Sequence, residues 1–133
     1  MIAAWRKVGE DSVASHQTAL ALHNLSDIEP RGYEFTVPRA RRSRSYSERF
    51  KIHTTTSRPK VVSVHGVPVT SVTRTLVDCA LLGEQTEMAV AQAFARGLTT
   101  ESDLREEARL RARAVRDAIE RAITVRGSYA AYV

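Results

Sequence analysis

Apolar residues open the chain at helical spacing. Ile2, Ala3, Ala4, Trp5 and Val8 predict a short amphipathic helix over residues 2–9. Ser15 is placed to cap a second helix, in which Ala19, Leu22 and Leu25 share an apolar side. Asn24 and Ser26–Asp27 mark its end, because asparagine tolerates the left-handed conformation of a C-cap. Pro30 and Gly32 punctuate the loop that follows. The period then shortens to two. Tyr33, Phe35 and Val37 alternate with Glu34 and Thr36, which predicts a half-buried strand stopped by Pro38. Phe50 and Ile52 alternate with Lys51 and His53 in a second strand. Residues 60–64 and 67–72 predict a third and a fourth, turned at His65–Gly66.

Beyond Thr73 the pattern is helical to the end. Thr73 is the expected N-cap of a helix carrying Leu76, Val77, Ala80 and Leu81, and Gly83 stops it. Thr86 is the expected cap of the next, which Gly97 ends. Thr100 opens a third, and Leu110–Ile123 predicts a last one. The fold class expected is α+β: N-terminal helices, a small, mainly antiparallel sheet of about four strands, and a C-terminal helical half. At 133 residues the chain fits one domain, helical over 1–30, sheet over 31–72 and helical over 73–126.

Charge changes this picture in one place. The formal net charge is +5, but residues 39–60 alone carry eight basic groups against Glu48. Residues 1–38 are net −2 and residues 101–121 sum to zero. In that later stretch Glu101–Arg105, Glu107–Arg111 and Asp117–Arg121 are helical pairs at i,i+4, which predicts a solvated surface. The basic segment is therefore the strongest functional signal. Arg39, Arg41, Arg42, Arg44, Arg49, Lys51, Arg58 and Lys60 are the candidate binding residues, with Tyr46 and Phe50 interleaved. Guanidinium forks suit bidentate phosphate contacts, and neutralised phosphates release counterions. An acidic protein would be drawn to the same patch.

The remaining chemistry is sparse. Cys79 is a lone cysteine in an apolar run, which predicts a buried, inert thiol and no intramolecular disulfide. One cysteine and four scattered histidines lack metal-binding spacing, so no metal site and no cofactor are expected. No G-x-S-x-G elbow, phosphate-cradling glycine loop or nuclease carboxylate cluster is present, so no enzyme is expected. A metal-independent ribonuclease using His53 or His65 as base stays open as an alternative. A helix-turn-helix over Thr86–Arg109 would point Glu101, Asp103, Glu106 and Glu107 at DNA, which like-charge repulsion opposes. Arg74 and Asp78 are four apart on one helix, a capping and ion-pair arrangement. The opening residues carry no leader pattern, and no apolar run approaches the roughly 20 residues of a membrane span. A cytoplasmic protein without membrane contact is expected.

Several motifs taken in order resemble one family. Ser15, His16, Thr18, Ala19, Leu22 and His23 follow the helix motif of AbiEi-type antitoxins. Phe35, Thr36, Val37 and Pro38, followed by arginines, is similar to their Thr-Val-Pro strand. Ile52–His53, Gly66–Thr70 and Arg74–Asp78 come next in the family's order. The resemblance spans roughly residues 12–98 and makes His16, Arg74 and Asp78 motif positions. It implies an antitoxin of a bacterial type IV toxin–antitoxin system, or a related transcriptional regulator. The implied partners are nucleic acid, DNA ahead of RNA, and a cognate nucleotidyltransferase-like toxin. Family members generally carry a winged helix before this domain. None precedes Met1, so the expectation is for the second domain alone. A protein-interaction domain without nucleic-acid binding is the other expectation that the same surface allows.

Overall fold

The computed structural model describes residues 1–27, 29–41 and 46–132. Among these, the chain forms an α+β fold with a single five-stranded sheet. Helix α1 (Ile2–Val8) buries Ala4 and Val8 and stops at Gly9, whose φ is 131°. A two-residue strand, β1 (Val13–Ala14), follows and leads directly into α2 (His16–Leu22). Asn24 closes α2 at φ 56°, the left-handed C-cap expected of asparagine.

The strands β2 (Tyr33–Pro38), β3 (Phe50–Thr55), β4 (Val61–Val64) and β5 (Val67–Thr70) complete the sheet in the order β3-β2-β1-β5-β4. Four of these five strands lie where the alternation predicts them. β1 is the addition, since two residues are too few to show a period. The sheet is also mixed rather than mainly antiparallel. β1 pairs antiparallel with β2 but parallel with β5, and β2 and β3 run parallel over six pairs from Tyr33↔Phe50 to Pro38↔Thr55. The long polar connection after β2, which a hairpin would not need, returns the chain to the starting end of the sheet. Among the described residues only β4 and β5 form a hairpin, turned at His65 and Gly66, both with positive φ.

Register decides which side chains meet. Paired residues point to the same face, so Glu34, Thr36, Lys51 and His53 share one side of the β2–β3 pair. Phe35 and Val37 point to the other side, where they pack with Ala4, Val8 and Val69. Tyr46, Phe50 and Ile52 are partly buried against that same cluster.

A second core lies in the helical half. Leu76, Val90, Leu104 and Ile119 bury there from α3 (Val72–Asp78), α4 (Glu84–Ala95), α5 (Glu101–Ala108) and α6 (Arg113–Val125). Helix α2 joins the two cores, turning Ala19 toward the sheet and Leu20 toward the helices.

Helix starts differ from expectation in three places. α3 begins at Val72 because β5 ends at Thr70, so Ser71 is the cap and accepts from the Arg74 N–H at 3.2 Å. Thr73 falls inside the first turn and bonds the Thr99 hydroxyl instead. α4 begins after Gly83, at φ 64°, and Thr86 turns inward to donate to the Cys79 carbonyl. α6 starts at Arg113, leaving Leu110 exposed between helices. Thr100 caps α5 as predicted, accepting from the Asp103 N–H at 3.0 Å. Among the described residues no helix is long and apolar enough to cross a membrane.

Candidate functional site

The basic segment divides once the chain is folded. Arg41, in a single 3-10 turn after β2, is spent internally: it pairs with Asp11, donates to the Val8 carbonyl and reaches the Tyr46 hydroxyl. Tyr46 itself donates to Val8 O at 3.0 Å. Arg41 and Tyr46 thus tie the segment to α1. Phe50 is likewise held between Tyr33 and Tyr46, with Lys7 over its ring. The interleaved aromatics are packing residues, not open stacking platforms. Arg42 and Arg44 lie outside the described residues.

The other five cations are exposed. Arg49 immediately precedes the edge strand and lies over the Tyr33 ring, and Lys51 is on β3 itself. Arg39 follows β2, and Arg58 and Lys60 lie between β3 and β4. Since β2 and β3 are parallel, Arg39 and Arg58 come off the same end of the sheet and Arg49 sits at the opposite end. Among the described residues none of these five has a carboxylate within ion-pair distance. In the helical half Arg74, Arg105, Arg109, Arg111, Arg113, Arg121 and Arg126 each have one, whereas exposed Arg116, like Arg6 and Arg31 near the start of the chain, has none among the described residues.

Those helical pairs follow tertiary geometry more than sequence spacing. Glu101–Arg105 forms at 3.8 Å as predicted. Arg111 bypasses Glu107 for Asp78 at 2.7 Å, and Arg121 bypasses Asp117 for Glu87 at 3.0 Å. The expected Arg74–Asp78 pair is present, with Arg74 Nε donating to both carboxylate oxygens at 2.9 and 3.1 Å. Asp78 is therefore a buried carboxylate held between two cations, one from its own helix and one from the connection between α5 and α6.

Behind the basic edge the fold assembles a cluster that no local spacing joins. The His16 and His53 rings stack with centroids 3.6 Å apart and planes 12° apart. Glu34, diagonal to His53 across the β2–β3 pair, has Oε2 2.8 Å from His53 Nε2. One ligand-capable atom from each of the three residues lies within 4.8 Å of the others. Ser15 fixes His16. Its hydroxyl contacts His16 Nδ1 at 2.9 Å and accepts from buried Thr36 at 2.8 Å, and so makes no cap bond to the helix. His16 also holds a left-handed backbone at φ 54°, rare for a non-glycine residue.

The electrostatics follow from position. Burial is the main cause that pushes the His16 pKa down to about 4, with His53 and Arg74 acting in the same sense against Asp78 and Glu34. The imidazole is neutral at pH 7. Burial alone would raise Glu34, but the His53 hydrogen bond, the two imidazoles and the Gln17 backbone N–H outweigh it. Its carboxyl titrates below the usual range, so an ionised Glu34 accepts from His53. Glu34 and Lys51 also line an open groove of about 380 Å³ together with Gln17, Arg31 and Arg49.

The remaining histidines stand apart. His65 is exposed in the β4–β5 turn, and His23 bonds the Thr70 carbonyl at 2.8 Å. Comparison with family models and with curated proteins gives no match to this chain.

Proposed function

We propose that the chain is a binding domain, not an enzyme, which contacts nucleic acid through the β3 edge of its sheet. The observation that carries this is a set of exposed cations that, among the described residues, have no carboxylate within ion-pair distance: Arg49 and Lys51 along the β3 edge and Arg39 and Arg58 at the sheet end where β2 and β3 finish, with Lys60 further off at the start of β4. Unpaired, solvated cations keep their full charge for an external anion, whereas paired ones must first give up a partner. β3 has six residues and so extends about 20 Å, alongside roughly six phosphates of one strand at 3.4 Å each. Backbone contacts of this kind position a protein on DNA without reading its sequence.

The resemblance to AbiEi-type antitoxins supports reading this surface as that of a cytoplasmic antitoxin or transcriptional regulator, with a nucleotidyltransferase-like toxin as its second partner. Duplex-DNA anisotropy titrations across salt concentration test the nucleic-acid part. Replacing Arg49, Lys51 and Arg58 together by alanine removes three phosphate contacts and lowers the salt slope by about 2.7. The double variant Arg109→Ala/Arg113→Ala, in the charge-balanced helical half, keeps the wild-type slope. Equal slopes for the triple variant and the wild type would refute the proposal. Capture of the toxin by a chain that shows no DNA binding would leave protein interaction as the role of this edge.

A further inference from the structure

We propose that His16, Glu34 and His53 form a binding site for one divalent transition-metal ion, with zinc as the best match. The donor set is two imidazole nitrogens and one carboxylate oxygen. Zinc takes this set in three-ligand sites that leave a fourth position to water or to a ligand oxygen.

Geometry brings the donors close to what the ion needs. Four ligands about 2.1 Å from zinc in a tetrahedron lie about 3.4 Å from one another. The imidazole ring centroids are 3.6 Å apart with near-parallel planes, so the rings must tilt for both in-plane lone pairs to meet one ion. The Glu34 and His53 atoms at 2.8 Å must part slightly, and the widest separation, at most 4.8 Å, must close. Binding of the ion would replace the His53–Glu34 hydrogen bond.

The surroundings resemble a ligand shell. Metal-bound histidines generally donate their second ring N–H to a fixed oxygen, which sets the tautomer. His16 Nδ1 faces the Ser15 hydroxyl, which Thr36 orients from within the core, and Nε2 is left for the metal. Ser15 gives up the helix-capping role to do this, and His16 accepts a left-handed backbone. Asp78 is near enough for its charge to reach His16, but Arg74 and Arg111 occupy its oxygens, so it is not a ligand. The cluster is also reachable: the His53 and Glu34 side chains are 26% and 14% exposed, and Glu34 borders the open groove. The fourth position therefore faces solvent.

The test is a titration of the whole chain with Zn²⁺ after chelator treatment, with no nucleic acid present, so that its failure leaves the DNA proposal untouched. Calorimetry should give one ion per chain. Ring ¹⁵N spectra of the wild-type protein should show His16 and His53 shifting together while His23 and His65 stay in place. His16→Ala and His53→Ala should each weaken binding at least a hundredfold. Ser15→Ala, which removes only the orienting hydroxyl, should weaken it by about 10- to 100-fold. Co²⁺ in place of zinc should give the visible bands of a four-coordinate centre. The absence of stoichiometric binding, movement of His23 or His65 instead, or full affinity in the His16→Ala/His53→Ala double variant would overturn the proposal. The ring spectra need no substitution, so they decide the matter even if a variant fails to fold.

Discussion

Asp78 offers the sharpest stability prediction. Its side chain is 3% exposed and accepts from Arg74 and Arg111, whose side chains are 17% and 29% exposed. Asp78→Ala leaves two partly buried guanidiniums facing each other without their anion. Removing one partner of a buried pair costs about 3–5 kcal/mol. Water reaches both arginines in part, so the lower end applies, about 3 kcal/mol. Unfolding entropy of about 2.1 cal/mol/K per residue over 133 residues gives roughly 0.28 kcal/mol/K. The melting temperature should therefore fall by about 11 °C. Arg111→Ala leaves Asp78 its other partner and should cost about 1–1.5 kcal/mol, or roughly 4–5 °C. The Asp78→Ala/Arg111→Ala double variant should be less damaged than the two losses combined, by at least about 1 kcal/mol, because one unpaired cation is then gone. Arg113→Ala is the control. Its pair with Asp117 is 3.7 Å long and 86%/71% exposed, so the loss stays under about 0.5 kcal/mol. Reversible thermal unfolding followed by circular dichroism measures all four. An Asp78→Ala melting temperature within about 4 °C of wild type, or strict additivity in the double variant, would refute the reasoning.

Two further predictions concern packing. A Cβ at Gly32 would overlap the Arg49 carbonyl oxygen, which accepts the first β2–β3 bond from Tyr33 N–H at 2.7 Å. Gly32→Ala should cost about 1–3 kcal/mol in urea unfolding, while Gly127→Ala, with open space around it, should stay within about 0.5 kcal/mol. A native-like midpoint for Gly32→Ala would count against the register. Cys79 is 3% exposed, and burial above all, then the charges of Asp78 and Glu34, push its thiol pKa far up. At pH 8 its reaction with a thiol reagent should run at least about a hundredfold slower than that of a free cysteine peptide, and recover in denaturant. Rapid native labelling would show that the α3 end opens readily.

The sequence by itself determined what depends on neighbours along the chain. Alternation placed β2 and β3, and Asn24, Gly83, Gly97 and Thr100 marked helix ends, because turn and cap conformations are local properties of those residues. The α+β class follows from the same signals, and so does the concentration of charge in Arg39–Lys60. Tertiary structure decided the rest. β1 is two residues long and carries no period, yet it sits at the centre of the sheet. A hairpin and a parallel return leave the same alternation in β3, so strand direction was not legible. Charge count could not separate Arg41, consumed by Asp11 and Val8, from Lys51, which remains exposed. Nor could helix spacing foresee that Arg111 leaves its own surface for Asp78. The His16–Glu34–His53 cluster shows the limit most clearly. Its members lie in separate segments, and each alone has an ordinary polar explanation. Only the parallel register of β2 and β3, with α2 closing over it, puts three donors around one point.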